Sequence, residues 1–446
     1  MIMYTWGDRM FKWNYINNFI NDSYEEAVDI RRDIHKYAEY GWTEFRTASK
    51  IAEYLKNIGV KVEIGEQNFN KEFMFGLPKK EELERHKNRA IEQGALEKYV
   101  NKMQGGFTGV VGIVETGIPG PTTAFRFDID ANEGIESNSL DHRPVKEGFA
   151  SINDGAMHSC GHDGHISIGL ILAKTLMNIK DNLKGTIKFI FQPAEEGVRG
   201  AYSMVNKGVV DNIDYFLTGH IGFTANKLGQ IITDTKGFLA TTKLDVHFKG
   251  RSSHAGASPE KGKNALLAAA TAALNLQSFS QHGEGASRVN VGVLNAGTGR
   301  NVIPEQAEMK IETRGENNNI NNYLENKARE VIKGAATMYD LDYEIIVAGS
   351  ADSAKSDEDF SKIINKQLER IEEVKEIINS NRFSGSEDAT YMMNRVQENG
   401  GKAVYMIFGT EKSADHHNNS FDFDERVLRI AIKVYAFITI YLNGME

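Results

Sequence analysis

One cysteine in 446 residues cannot form an internal disulfide, so a reducing compartment, the cytoplasm, is the expected setting. No long basic run interrupts a net charge of −9, which argues against nucleic acid or an anionic membrane surface as the main partner and favours a small molecule. Met1 to Asn21 has neither an unbroken apolar stretch nor a small-residue cleavage site, because Asp8, Arg9 and Lys12 break its aromatic run, so no secretory signal peptide is expected there. The longest uncharged run, Asn264 to Gly283, carries Asn, Thr, Gln and Ser at the spacing of an amphipathic helix, and no membrane span is expected. Solenoid repeats and low-complexity tracts are absent.

What is present is globular: 41 % hydrophobic and 25 % charged residues are ordinary for a folded chain, and the length calls for more than one core, about three domains. Apolar spacing predicts helices over 24–40 and 47–58, the second stopped by Gly59, and alternation predicts a strand over 60–64. Residues 68–104, rich in Lys and Glu, read as a solvated helical insertion without chemistry. Short β-rich runs at 110–114, 122–130, 185–192 and 213–218 are interleaved with helices at 166–179 and 201–207, the order of an open, mostly parallel sheet. From Thr241 a second pattern begins: strand 241–249, helix 262–280, strands 288–295 and 306–313, helix 318–338 and strand 342–348. That β-α-β-β-α-β order is the split βαβ, ferredoxin-like motif, complete in itself. Helix 359–380, a Gly/Ser loop at 384–386, strand 402–408 and helix 425–442 then resume the first pattern. The expected architecture is an α/β catalytic domain formed by 1–238 and 350–446, interrupted by a smaller ferredoxin-like α+β domain at 239–349.

Chemistry concentrates in His158-Ser-Cys160-Gly-His162-Asp163-Gly-His165, where the lone cysteine stands among three histidines. Cys160 and His162, two apart across a glycine, can converge on one ion from a loop, and a helix starting just beyond would aim its positive dipole end at the thiolate. Strand 185–192 ends at Pro193-Ala-Glu195-Glu196-Gly197 and strand 213–218 at Gly219-His220, so three polar clusters fall where open parallel sheets place their ligands. Adjacent side chains on a loop diverge, so one of Glu195 and Glu196 can bind metal while the other faces substrate. Alternation puts Arg126, Asp128 and Asp130 on one face, costly inside an apolar sheet unless the strand ends at a site. Asp128 is therefore a candidate supporting residue of the catalytic centre, against the competing reading of an Arg126–Asp128 pair on an edge strand. The ligand count reaches five: Cys160, His162, Glu196, His220 and either His416 or His417. A catalytic zinc takes three protein ligands, so five point to two metal ions bridged by the Cys160 thiolate. Thiolate and imidazole suit zinc, and the carboxylates also admit manganese. Two ions sharing a water acidify it and polarise a carbonyl oxygen, which leaves Glu195 to accept the proton and pass it to the leaving amine. A cysteine hydrolase using Cys160 and a histidine would need none of the extra ligands.

Taken in order, RFDID (126–130), CGHDGH (160–165), QPAEEG (192–197), GH (219–220), SSHAG (252–256) and RNVIPE (300–305) resemble the M20 metallopeptidase family over roughly residues 25–440. The similarity is greatest to its branch of amidohydrolases, which contains N-acyl-amino-acid and p-aminobenzoyl-glutamate hydrolases. The resemblance implies the interrupted two-domain fold, metal binding by Cys160, His162, Glu196, His220 and His417, and Glu195 as general base. His417 is chosen over His416 because the family motif places its ligand four residues before an aromatic, here Phe421. The resemblance also implies that His254, Asn301 and Arg314 hold the substrate's reacting carbonyl and its carboxylate, in relatives sometimes across a dimer interface. Read without it, His254 is a turn residue and Arg314 a partner of Glu312 or Glu316. The chain departs from the branch in following its Asp-x-Asp with Ala131-Asn132-Glu133-Gly134 rather than Ala-Leu-Pro. The 68–104 insertion and HRPVKEGFA (142–150) resemble the p-aminobenzoyl-glutamate type instead. The expected activity is hydrolysis of an N-acyl or N-aroyl amino acid, preferably of that type, by a homodimer or a heteromer with a homologous subunit. The alternatives are a general aminoacylase or dipeptidase, or a non-catalytic metal-stabilised subunit.

Overall fold

Two large sheets organise the computed structural model, which describes residues 6–445. Of the segment read for a signal peptide, the first five residues lie outside this range. In chain order the strands of these two sheets are β1 (Lys61–Ile64), β2 (Val110–Glu115), β3 (Thr122–Asp128), β4 (Thr186–Gln192), β5 (Tyr215–Ile221) and β6 (Gln230–Ile232). They continue with β7 (Ala240–Lys249), β8 (Ser287–Ala296), β9 (Gln306–Gly315), β10 (Asp342–Ala351), β11 (Glu376–Ile378) and β12 (Lys402–Phe408). The larger sheet runs β1-β2-β4-β3-β5-β12-β6-β11, and its central strands β4, β3, β5 and β12 are parallel.

These central strands are apolar on both faces, as parallel strands covered on both sides must be. Phe125, Phe127, Phe189 and Phe191 pack under helices 24–36, 45–57, 162–178 and 426–443, while Ala124, Ile190, Phe216 and Tyr405 face helices 201–206 and 389–398. Arg31 pins three elements together: it pairs with Asp163 at the start of the 162–178 helix (2.7 Å), and with Asp422 (2.7 Å) and Glu425 (3.0 Å) before the last helix. Among the described residues no helix is long and apolar enough to cross a membrane.

The smaller sheet is antiparallel throughout in the order β8-β9-β7-β10, the strand order of the ferredoxin-like motif. Helices 265–277 and 318–338 cover one face with an apolar core. The other face is polar and looks across a cleft at the larger sheet's loops. There the two units meet backbone to backbone: Ser350 N–H donates to Val198 O (2.9 Å), and a Cβ at Gly349 would stand 2.1 Å from Gly197 O.

Several elements differ from the sequence reading for identifiable reasons. β3 is the middle of the sheet rather than an edge, so Arg126 and Asp128 form a buried pair, not a surface one. The helix expected from Ile166 already starts at His162, and the one expected over 359–380 stops at Leu368. Beyond it, Lys375 N–H (2.9 Å) and Glu376 N–H (3.2 Å) donate to Gly229 O, and β11 pairs with β6, so sheet pairing overrides local helical spacing. The insertion is less solvated than expected: Leu83, His86, Ala90, Tyr99, Val100 and Met103 are buried beside the 45–57 helix. The last small-sheet strand continues to Ala351, two residues past the boundary expected at 349.

Because Gly349 lies against Gly197, Gly349→Ala should destabilise the protein by about 1–3 kcal/mol, the range for overpacking. Gly334→Ala, on the exposed side of helix 318–338 with nothing within 4 Å of its Cβ, should stabilise by about 0.5–1 kcal/mol. Urea midpoints of the two variants should therefore move in opposite directions.

Candidate metal centre

Beyond the C-terminal ends of β3, β4, β5 and β12 the sheet leaves a crevice, and the candidate residues gather there. Cys160 lies on the loop before the 162–178 helix. Gly161 follows it with φ +90°, a left-handed conformation disfavoured for any residue with a Cβ, and this turn aims Cys160 and His162 at the same space.

Two donor sets, each with its atoms within 4.8 Å of one another, share the Cys160 sulfur: Cys160, His162 and His220, and Cys160, Glu196 and His417. The Cys160 Sγ is 3.4 Å from His220 Nε2, and Glu196 Oε1 is 3.3 Å from His417 Nε2. His162 Nε2 and Glu196 Oε1 are buried yet make no well-aligned hydrogen bond. Orphaned lone pairs of this kind cost free energy in a dry site, and thiol, imidazole and carboxylate together are the donors a divalent transition ion takes. The residues fit a metal centre.

His416 joins neither set. Its Nε2 donates to Ile221 O (3.0 Å) and its ring stacks on Phe223 with centroids 4.4 Å apart. His417 instead directs its Nε2 at Glu196 from a strained left-handed backbone, φ +66°.

Backbone and carboxylate contacts fix the rings. His162 Nδ1 donates to Asp130 O (2.9 Å) and His220 Nδ1 to Ile221 O (2.8 Å), which leaves each Nε2 as the free donor atom. The Asp130 carboxylate accepts from the N–H groups of Glu195 (3.0 Å) and Glu196 (2.9 Å), so it sets the conformation of the loop bearing both acids. Asp128 receives His165 Nδ1 (2.5 Å), and His165 Nε2 accepts from Ile221 N–H (3.0 Å), so Asp128 acts on the His220 segment through His165. Behind them the buried Arg126 donates to Gln192 (2.8 Å), Asp128 (2.8 Å), Glu387 (3.1 Å) and Asp388 (3.2 Å).

The two adjacent acids are pushed apart. Burial, with Glu387 and Glu196 nearby, drives the Glu195 carboxyl well above the usual range. Glu196 is equally buried, but its contact with His417 and the nearby His162 hold its carboxyl below the usual range. Environments that split a carboxylate pair in this way separate a base from a ligand. Burial and the same two glutamates, Glu196 and Glu195, also push the Cys160 thiol up, the reverse of what an attacking cysteine needs, and this disfavours the cysteine-hydrolase alternative.

A cavity of about 250 Å³ opens over the centre, lined among others by Cys160, Glu195, His220, Lys243, Arg314 and Glu387. Arg314 reaches it, but its guanidinium holds Glu312 with Nε at 2.9 Å and Nη2 at 3.0 Å. His254 and Asn301 do not reach it. They sit on exposed loops tied by Ala255 N–H to Asn301 O (2.9 Å), beyond the opposite end of β7 and β9. Ten paired residues at roughly 3.3 Å each put about 30 Å of sheet between them and Arg314. The sequence reading missed His165, the loop-holding role of Asp130, and Glu387, Asp388 and Lys243. His165 lies inside the CGHDGH motif, whereas only the sheet order brings the 387–388 loop to Arg126.

A donor set shared through one thiolate, at the carboxyl edge of an α/β sheet and roofed by the polar face of a second sheet, defines a metal-centred hydrolase scaffold. The chain belongs to peptidase family M20/M25/M40, which it matches over residues 124–440. It is 48 % identical over 422 residues to the A subunit of p-aminobenzoyl-glutamate hydrolase from Escherichia coli (strain K12), covering 94 % of this chain and 97 % of that protein. It is 50 % identical over 422 residues to indole-3-acetyl-aspartic acid hydrolase of Enterobacter agglomerans, with the same coverage of 94 % and 97 %. Among solved structures it is similar to the aminobenzoyl-glutamate utilization protein from Klebsiella pneumoniae, with TM-score 0.83, 42 % identity, and coverage of 96 % of this chain and 98 % of that one.

Removing the Asp130 carboxylate by Asp130→Ala would strand two loop N–H groups and free the Glu195–Glu196 segment. Metal affinity, measured by titration of the apoprotein against a chromophoric chelator, should fall by about 10- to 100-fold.

Proposed function

We propose that this enzyme hydrolyses the amide bond between an acyl or aroyl group and an amino acid, with p-aminobenzoyl-glutamate-type molecules as preferred substrates. The observation that carries the reading is the Cys160 sulfur common to two donor sets, with Glu195 Oε2 4.0 Å from His162 Nε2 beside them. The two relatives support it, because the substrates in their names are amides of dicarboxylic amino acids.

Cys160, His162, Glu196, His220 and His417 would hold two divalent ions, zinc or manganese. Such a pair supplies an acidified water and a polarised carbonyl. Glu195, its basicity raised by burial, would take a proton from the attacking water and deliver it to the departing amine nitrogen. Asp128 and Asp130 keep His165, His162 and the acid-bearing loop in place while the amide geometry changes from planar to tetrahedral. Residues 239–349 serve as lid and dimerisation unit, with Arg314 toward this chain's substrate and His254 and Asn301 toward that of a second chain. The assembly is a cytoplasmic homodimer, or a heteromer with a homologous chain, an option that the lettered naming of the Escherichia coli relative supports.

Glu195→Gln should retain both metals and lose about 10²- to 10⁴-fold in kcat, the usual contribution of a general base. Cys160→Ser should lower occupancy of both ions together, because the sulfur belongs to both donor sets. Elemental analysis alongside rates with N-benzoyl-glutamate checks both: loss of metal in the first variant would exchange the roles of Glu195 and Glu196, and loss of one ion in the second would exclude a bridge.

A further inference from the structure

The polar face of the small sheet holds an ammonium without a partner. Lys243 on β7 stands directly opposite Glu312 on β9, the position at which opposite charges across antiparallel strands normally pair. They do not pair: Glu312 turns along its own strand to Arg314 and is occupied by that guanidinium through both oxygens. Among the described residues Lys243 has no hydrogen bond and no carboxylate within ion-pair distance, although the side chain is half-buried. Burial holds its ammonium below the usual range while Glu312 and Glu195 act from farther away in the opposite sense. A half-buried ammonium on a cavity wall, with no carboxylate in reach among the described residues, leaves a position that an anionic partner from outside the chain completes.

Position says what that partner is attached to. Lys243 lines the cavity over the metal centre together with Cys160, Glu195 and Arg314, and also the adjoining cleft of about 610 Å³ between the small sheet and Glu133, Glu196 and Arg199. An anion on Lys243 therefore belongs to the same small molecule whose amide lies at the donor sets. The two relatives differ in the acyl group they are named for, p-aminobenzoyl against indole-acetyl, and share a dicarboxylic amino acid. We infer that Lys243 is a specificity residue that binds the side-chain carboxylate of a dicarboxylic amino acid, leaving the α-carboxylate to Arg314. This rests on the amidohydrolase reading above and adds to it the residue that distinguishes glutamate or aspartate amides from neutral ones.

The test compares N-benzoyl-L-glutamate with N-benzoyl-L-glutamine, which keeps the α-carboxylate and replaces only the side-chain charge. Metal-loaded wild type, Lys243→Met and Lys243→Arg are assayed, with metal content measured for each. Wild type should prefer the glutamate amide, Lys243→Met should reduce the ratio of the two kcat/KM values by about 10- to 100-fold, as loss of a charge-assisted hydrogen bond does, and Lys243→Arg should keep most of it. A ratio unchanged in Lys243→Met overturns the assignment. Calorimetric binding of L-glutamate to the same three proteins gives a readout free of turnover: weaker binding in Lys243→Met supports the site, and equal binding overturns it. Wild type that cleaves neither amide but binds L-glutamate through Lys243 would sink the hydrolase reading while leaving the carboxylate site standing.

Discussion

Packing several carboxylates and a thiol into a dry space a few ångströms across is possible here because of one buried guanidinium. Arg126, completely enclosed on the central strand, pairs with Asp128, Glu387 and Asp388 at 2.8 to 3.2 Å. Burial alone would favour its neutral form, but three carboxylates hold it charged, so it is a permanent cation at the base of the site. Removing the guanidinium would leave buried carboxylates uncompensated, which typically costs about 3–5 kcal/mol. The strand, the Glu387–Asp388 loop and, through the N–H groups of Gly200 and Ala201 on Asp388, the segment after Glu196 are thereby locked in one arrangement.

That lock does not neutralise the site. Glu195, Glu196 and Cys160 stand in front of Arg126 among the imidazoles of His162, His220 and His417, with Lys243 and Arg314 on the cavity wall, and the structure accepts both strain and unmade hydrogen bonds to keep them there. Ala194, Val198 and His417 all adopt left-handed backbone conformations without being glycine, and they bracket the two acids and one ligand. Each such residue costs on the order of 1 kcal/mol or more, and three around one cavity mean that donor direction was selected over local comfort. Divalent cations, held as proposed, would supply what is missing: charge for the carboxylates and partners for His162 Nε2 and Glu196 Oε1.

The sequence carries the donors because their chemistry is local. Cys160-Gly-His162 and Glu195-Glu196 each sit at a strand or helix boundary that periodicity can find, and the ferredoxin-like order of strands 241–348 is written in alternation alone. What supports the donors is not local. Asp130 is tied to residues 65 and 66 positions away, and Arg126 to residues more than 260 positions away, so their roles exist only once the sheet order is known. The preference for His417 over His416 rests in the sequence on the spacing to Phe421 in the family motif, and its physical basis is a backbone twist at His417 and the stacking of His416 on Phe223. Lys243 looks like an ordinary outward lysine of an alternating strand until Glu312 is seen to face Arg314.

The same register that brings Lys243 and Arg314 to the metal centre carries His254 and Asn301 away from it. β7 pairs with β9 over its full ten residues without a break, so the two ends of the sheet are a rigid length apart, and no rotation of the small unit about its contacts at Gly349 and Ser350 shortens it. Along its whole length β8 is an open sheet edge, and the helix beside it, 265–277, exposes Leu266, Leu267 and Leu274, the last at 76 %. An unpaired edge next to exposed leucines is the surface through which the proposed dimer would form. If His254 and Asn301 touch substrate, the cavity they touch belongs to a second chain joined through this surface. Their proposed roles and the proposed dimer are therefore a single claim, since a monomer leaves both side chains about 30 Å of sheet short of the substrate they would hold.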